Sequence, residues 1–206
     1  MANIGVDLDG VVARFESGYA PLLTKRCGIE FPLDSPEFPP VWHWPNAWDV
    51  PQDAQDAAWQ EIKEDPTFWL SLLPMPGAEE CLSELDYLSW KGHNIYFITH
   101  RMGAQAKRST ERWLQIHGME NPTVMLVEQK HLAAVALRLD AYIDDMWENV
   151  TEVKHFTKQH GLPTRVYMAR RPYNRSQFNL ALDRGIIPVD SLREMLEIEF
   201  ESRTSR

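Results

Sequence analysis

A short apolar segment near the start of the chain ends in two closely spaced acids. Residues Ile4 to Leu8 have the length and composition of a buried strand, which ends at the turn-forming pair Asp9 and Gly10. Asp7 and Asp9 therefore lie together at the carboxyl end of this strand, where open α/β sheets bind their ligands. Neighbouring carboxylates repel each other, so the pair needs a cation, a proton or a cationic substrate group. A hard divalent metal such as Mg²⁺ is the simplest answer, because this ion prefers carboxylate and carbonyl oxygens.

Strand and helix patterns alternate along the chain after residue 72. Helical segments with one apolar face separate short apolar runs, and this arrangement is typical of a parallel sheet covered by helices on both faces. The pattern predicts an α/β fold, a Rossmann-like three-layer sandwich with a central parallel sheet of about five strands. We place the strands near residues 4–8, 94–99, 123–127, 141–143 and 164–168.

The segment between the first two strands has a different composition. Prolines and tryptophans crowd residues 14–71, and each proline removes a backbone hydrogen-bond donor, so short helices joined by turns are expected. We divide the chain into a core domain of residues 1–13 and 72–206 and a small, mostly helical cap of residues 14–71. The tryptophans of the cap, Trp44 among them, either pack its interior or stack on a nucleobase.

Polar residues suited to phosphate chemistry follow the later strands. They are Thr99, His100 and Arg101 after the second strand, Lys130 at the helix after the third, and Asp144 and Asp145 after the fourth. The carboxyl ends of parallel strands meet at one edge of a sheet, so we expect these side chains beside the first acid pair. Together they supply a nucleophile, a second acid, a hydroxyl, an ammonium group and an acidic pair, which phosphoryl transfer requires.

The charge and composition limit the partners and the compartment. Lys plus Arg is 21 and Asp plus Glu is 30, which gives a formal net charge of −9. Such a chain repels polynucleotides but can bind a small phosphate ester in a locally positive pocket. The two cysteines are far apart, which favours free thiols in a reducing cytoplasm. The sequence shows neither a membrane span nor a signal peptide, so we expect a cytoplasmic protein with no membrane partner. A homodimer is possible. The polar tail, residues 201–206, is expected to fray.

As a set, these motifs resemble those of the haloacid dehalogenase superfamily of phosphohydrolases. The four motifs are Asp7-Leu8-Asp9-Gly10-Val11, Thr99 after Ile95-Tyr96-Phe97-Ile98, Lys130, and Ile143-Asp144-Asp145. Within the superfamily the chain is similar to the 5′(3′)-deoxyribonucleotidase group. The segments that add this similarity are residues 9–16, 68–78 and 171–174. The resemblance covers most of the chain in the order and spacing of these segments.

The resemblance implies a catalytic or metal-binding role for each acid. Asp7 would attack phosphorus and become an aspartyl-phosphate, while Asp9 would protonate the leaving oxygen and then activate water. Mg²⁺ would be held by Asp7, by the backbone carbonyl of Asp9 and by Asp144. Asp145 would support these ligands without contacting the ion, or would bind the ion through a water molecule.

The resemblance also implies which residues contact the substrate. Thr99 and Lys130 would bind the phosphoryl oxygens, and Lys130 would soften the repulsion between the acids. Further candidates for substrate contact are Phe15, His100, Arg101 and Trp44. The expected protein is a Mg²⁺-dependent phosphomonoesterase whose partner is a small phosphate ester, a (deoxy)nucleoside monophosphate.

The residues leave two alternative functions open. The same chemistry could act on a sugar phosphate or on the 3′-phosphate end of a nucleic acid, although the acidic charge disfavours a polynucleotide. A protein of another class, a nucleotide-binding protein without turnover, could keep the fold. The intact set of acids disfavours that reading.

Overall fold

The structure is a computed structural model that describes residues 1–200; the polar tail, for which we predicted fraying, lies outside the described residues. The strands are β1 (Asn3–Val6), β2 (Ala13–Arg14), β3 (Leu73–Pro74), β4 (Asn94–Thr99), β5 (Val124–Leu126), β6 (Ala141–Asp144), β7 (Arg165–Ala169) and β8 (Ile187–Val189). The helices are α1 (Phe15–Cys27), α2 (Trp44–Ala47), α3 (Gln52–Glu64), α4 (Ala78–Trp90), α5 (Ala106–Ile116), α6 (Lys130–Ala136), α7 (Trp147–Gln159), α8 (Phe178–Asp183) and α9 (Leu192–Phe200).

Six parallel strands form the central sheet in the order β5-β4-β1-β6-β7-β8. β1 lies in the interior, between β4 and β6, and its side chains Ile4 and Val6 are fully buried. Helices flank the sheet, as expected for parallel strands joined by helical crossovers. The predicted α/β fold with a central parallel sheet is confirmed. Within residues 1–200, none of the helices has the length and hydropathy needed to cross a membrane.

The prediction of about five strands was one strand short. β8 pairs with β7 at the edge of the sheet and contains only three residues, with Pro188 in the middle. An edge strand tolerates a proline because one side of its backbone needs no partner. Neither the length nor the alternation of this segment distinguishes it from a loop, so sequence reasoning missed it.

The segment between β2 and β3 is helical, as its composition predicts. β2 and β3 form a two-stranded antiparallel ribbon at its base. Trp44 lies in the interior of this segment, where its indole packs against the rings of Tyr19, Phe31 and Phe38. The same apolar cluster continues under the central sheet. The division into a core and a cap at residues 14 and 71 stays a prediction.

The last part of the cap is hydrogen-bonded to the loop and helix that follow β4. Two hydrogen bonds join Trp69 Nε1 to the Met102 carbonyl (3.0 Å) and Ser109 Oγ to the Pro66 carbonyl (2.5 Å). A third joins Trp113 Nε1 to the carbonyl of Leu72, the first residue after the cap (2.8 Å). Gly103 also approaches α3 closely, since a Cβ there would lie 2.8 Å from the Lys63 carbonyl oxygen. These contacts fix the β4–α5 loop against the cap.

We expect the substitution Gly5→Ala to destabilise the fold, because the neighbours of Gly5 leave no space for a Cβ atom. A Cβ at this position would lie 2.5 Å from Leu139 Cδ1 and 2.9 Å from Tyr142 Cδ2. Overpacking of this kind costs roughly 1–3 kcal/mol, which urea unfolding would measure. Adding Leu139→Ala opens space, so the two losses should be less than additive. Fully additive losses would contradict the proposed clash.

Candidate active site

The carboxyl ends of β1, β4 and β6 meet at one edge of the sheet and gather a set of buried polar side chains. Carboxylate oxygens of Asp7, Asp144 and Asp145 all lie within 4.8 Å of one another, and the three side chains are almost completely buried. Thr99 at the end of β4 is also buried there. This placement follows from the parallel sheet, since the backbone N–H of Asp7 donates to the Ile143 carbonyl on β6.

Lys130, the first residue of α6, lies between two of these acids. Its Nζ is 2.7 Å from Asp7 Oδ1 and 2.8 Å from Asp144 Oδ2. Burial acts to lower the pKa of Lys130, but the neighbouring Asp144 and Asp7 carboxylates outweigh burial and raise that pKa above the ordinary lysine value. Lys130 therefore stays charged and stabilises the acid cluster.

Asp144 has both carboxylate oxygens occupied by protein donors. Oδ1 accepts from the Met146 backbone N–H and from Asn149, and Oδ2 accepts from Lys130, Tyr142 and Asn149. Its side chain has no solvent exposure and does not line the cavity above the acids. Asp144 is thus a hydrogen-bonding centre that holds Lys130 in place.

Asp145 has one oxygen occupied and one oxygen without a donor. Oδ2 accepts a hydrogen bond from the Tyr173 hydroxyl, and Asn174 donates to the Asp145 backbone carbonyl. Oδ1 is buried and has no hydrogen-bond partner among residues 1–200. Burial and then the Asp144 charge raise the pKa of Asp145 to about 7, while burial raises the pKa of Asp7 well above its ordinary value. A buried acceptor without a donor, next to further carboxylates, fits a hard cation.

Asp9 lies beside this cluster and is bound by Arg101. Arg101 Nε donates to Asp9 Oδ2 at 3.0 Å, and a terminal nitrogen donates to Asp9 Oδ1 at 2.7 Å. We predicted that Arg101 contacts the substrate, but its side chain is fully buried and does not line the cavity. The Arg101 guanidinium therefore binds Asp9 and lies outside the lining of the cavity.

A cavity of about 390 Å³ opens above the acids. Its polar wall includes Asp7, Asp9, Thr99, Lys130 and Asp145, together with the exposed His100. Its aromatic lining comes from the cap: Phe15, Trp42, Trp59 and Trp69. Phe15, a predicted substrate contact, lies in this lining and stacks on Trp59, with ring centroids 5.5 Å apart.

Trp44, the fourth predicted substrate contact, lines a different space. It borders an adjoining cavity of about 220 Å³ on the cap side, and its ring packs within the cap. For the tryptophans of the cap we left packing and base stacking open; Trp42, Trp59 and Trp69 line the main cavity, whereas Trp44 packs within the cap. Tyr173 was missed as the partner of Asp145, although it lies in one of the motifs that carried the family resemblance.

The fold is shared with solved structures of the haloacid dehalogenase superfamily. The chain is similar over almost its whole length to solved structures of this superfamily. They include the haloacid dehalogenase-like hydrolase SP0104 from Streptococcus pneumoniae (TM-score 0.58, 15% identity, 96% of this chain and 98% of that one). A putative beta-phosphoglucomutase from Thermotoga maritima gives a TM-score of 0.55 at 16% identity, with 98% and 99% covered. At these identities the likeness establishes the fold.

The family follows from a sequence comparison. Residues 1–177 match the family described as 5′ nucleotidase, deoxy (Pyrimidine), cytosolic type C protein. The protein belongs to this family, which places it among the phosphoric monoester hydrolases. The superfamily and nucleotidase resemblance seen in the motifs is therefore confirmed. No curated protein matches the chain significantly.

We expect Asp145 to make the metal-free protein less stable as the pH rises from about 4 to about 7. The pKa of Asp145 is raised to about 7 from the ordinary 3.8, so the folded state binds more protons than the unfolded state in this range. The free energy of unfolding then falls with pH, by roughly 1–4 kcal/mol from this group.

Urea unfolding in EDTA across this pH range would measure the slope. The matched variant Asp145→Asn should lose this part of the pH dependence, because its side chain does not titrate. Parallel pH profiles of the two proteins would contradict the expectation.

Proposed function

We propose that the protein is a Mg²⁺-dependent phosphomonoesterase that hydrolyses (deoxy)nucleoside monophosphates through an aspartyl-phosphate on Asp7. The observation that carries the proposal is the cavity, which joins a floor of acids and Lys130 to an aromatic wall. Its volume of about 390 Å³ lies in the range of small-molecule sites. Family membership supports the reaction class, and the family description supplies the substrate class that we carry to this chain.

In the proposed first step, a carboxylate oxygen of Asp7 attacks phosphorus while the bond from phosphorus to the ester oxygen breaks. The leaving oxygen takes a proton from Asp9, which lines the same cavity. In the second step water attacks the aspartyl-phosphate, gives its proton to Asp9, and releases phosphate and the free Asp7. Thr99 and Lys130 bind the phosphoryl oxygens, and Lys130 offsets their charge.

We assign the direct metal ligands to Asp7, the backbone carbonyl of Asp9, and Asp145. The sequence resemblance gave Asp144 as the ligand and Asp145 as the supporting residue. We propose the reverse, because Asp145 Oδ1 lacks a donor among the described residues and Asp145 lines the cavity, whereas both oxygens of Asp144 accept hydrogen bonds. When bound, Mg²⁺ would neutralise charge on the phosphoryl group and the acids.

The aromatic wall supports a substrate that carries a base. Rings such as Trp59 and Trp69 stack on nucleobases with about 1–3 kcal/mol per base, and a sugar phosphate offers no such face. A net charge of −9 disfavours a polynucleotide. We propose a small nucleotide as the substrate and the cytoplasm as the compartment, where such nucleotides are found.

A phosphate-release screen over nucleoside monophosphates and sugar phosphates tests the function. We expect turnover on the nucleotides with Mg²⁺ and its loss in EDTA. The substitution Asp7→Asn should lower kcat by at least about 10³-fold, because the amide is not a nucleophile. Turnover confined to sugar phosphates would overturn the nucleotidase assignment. Absence of turnover on every ester would favour a binding protein without catalysis.

A pair of variants tests the ligand assignment. Asp145→Asn should weaken Mg²⁺ binding roughly tenfold to a hundredfold or more, because it removes a direct ligand. Asp144→Asn should weaken Mg²⁺ binding less and lower stability more, because it leaves the buried Lys130 with one acid. Mg²⁺ titration followed by thermal unfolding measures both effects. A larger loss of Mg²⁺ affinity in Asp144→Asn would contradict the assignment.

A further inference from the structure

We propose that Arg101 is a positioning residue that fixes the carboxylate of Asp9, and that the cap in turn fixes Arg101 through Trp69. The inference rests on the proposed function, because the acid–base role of Asp9 belongs to it. The two hydrogen bonds from Arg101 reach both oxygens of Asp9, at 3.0 and 2.7 Å. A planar guanidinium that binds a carboxylate in this way sets its rotation as well as its position.

Arg101 is built into the protein interior and does not reach the substrate space. Its side chain has no solvent exposure, and it is absent from the wall of the cavity that contains Asp7 and Asp9. A third nitrogen–oxygen contact anchors it, since a terminal nitrogen donates to Thr110 Oγ1 on α5 at 3.1 Å. The guanidinium therefore acts on Asp9 and not on the phosphate ester.

Trp69 connects this pair to the cap. The Arg101 guanidinium lies 4.7 Å from the centroid of the Trp69 ring, and Trp69 Nε1 donates to the carbonyl of Met102, the next residue along. Trp69 also lines the cavity. The same indole thus contacts the substrate space and holds the residue that orients the acid, so the cap contributes to the orientation of Asp9.

The chemistry of the leaving group separates a positioning role from a purely structural one. Transfer of phosphorus from a nucleoside monophosphate to Asp7 expels an alkoxide, which needs the proton of Asp9. The same transfer from p-nitrophenyl phosphate expels a stable phenolate, which needs no proton. The constant kcat/KM reports the steps up to this transfer, so a misplaced Asp9 should lower kcat/KM for the nucleotide and spare kcat/KM for the aryl ester.

The experiment compares the unmodified protein with Arg101→Lys and Arg101→Gln on both esters. We expect kcat/KM for the nucleotide to fall roughly tenfold to a hundredfold in Arg101→Gln, with kcat/KM for p-nitrophenyl phosphate within about threefold of the unmodified value. Arg101→Lys keeps the charge but not the paired donors, and we expect a similar selective loss. Thr110→Val removes only the anchoring hydrogen bond and should give a smaller change in the same direction, even if the Arg101 variants fail to fold.

The matched control is Arg165→Gln, which breaks an arginine–carboxylate pair with the buried Glu199, away from the cavity. It should lower the melting temperature and leave the ratio of the two kcat/KM values unchanged. The positioning role would be overturned if the Arg101 and Thr110 variants lost kcat/KM by the same factor on both esters, so that the ratio of the two kcat/KM values stayed unchanged. An unmodified protein that hydrolyses neither ester would instead overturn the proposed function.

Discussion

The contact of one buried ammonium with two buried acids is the interaction on which the site depends. Lys130 touches Asp7 and Asp144, and among the described residues only Lys130 and Arg101 form ion pairs with the four acids of the site. If all four acids (Asp7, Asp9, Asp144 and Asp145) were ionised, their four negative charges would exceed the two positive charges of Lys130 and Arg101. Removing such charges from water costs several kcal/mol each unless partners compensate. Burial and then this excess of negative charge raise the pKa of Asp145, and the same excess favours the binding of a cation.

The sequence predicts the floor of this site well because the floor follows from regular structure. Alternating strands and helices require a parallel sheet, and the carboxyl ends of its strands must meet at one edge. Asp7, Thr99, Lys130 and Asp145 needed no further information to be placed together. The strand that was missed, β8, lies at the far edge of the sheet, where three residues and a proline carry no periodic signal.

The parts of the site that the sequence could not place depend on how the cap packs on the core. Trp44 and Trp59 look alike in the sequence, yet one packs inside the cap and the other lines the cavity above the acids. Arg101 follows a strand end, where a substrate contact is a reasonable expectation. Its burial comes from α5 and the cap, and no local pattern encodes that packing.

The cap therefore does more than cover the acids. Its rings line the cavity, and one of those rings, Trp69, also contacts Arg101, which binds the proposed proton donor Asp9. Hydrogen bonds between the cap and both the β4–α5 loop and α5 support this connection. Under the proposed function, substrate recognition and proton transfer share one structural element. A cap exchanged to change the specificity would therefore have to preserve the contact between Trp69 and Arg101 to keep Asp9 in place. Trp69 is therefore a residue that could not be exchanged freely, because its indole both lines the cavity and contacts the Arg101 guanidinium.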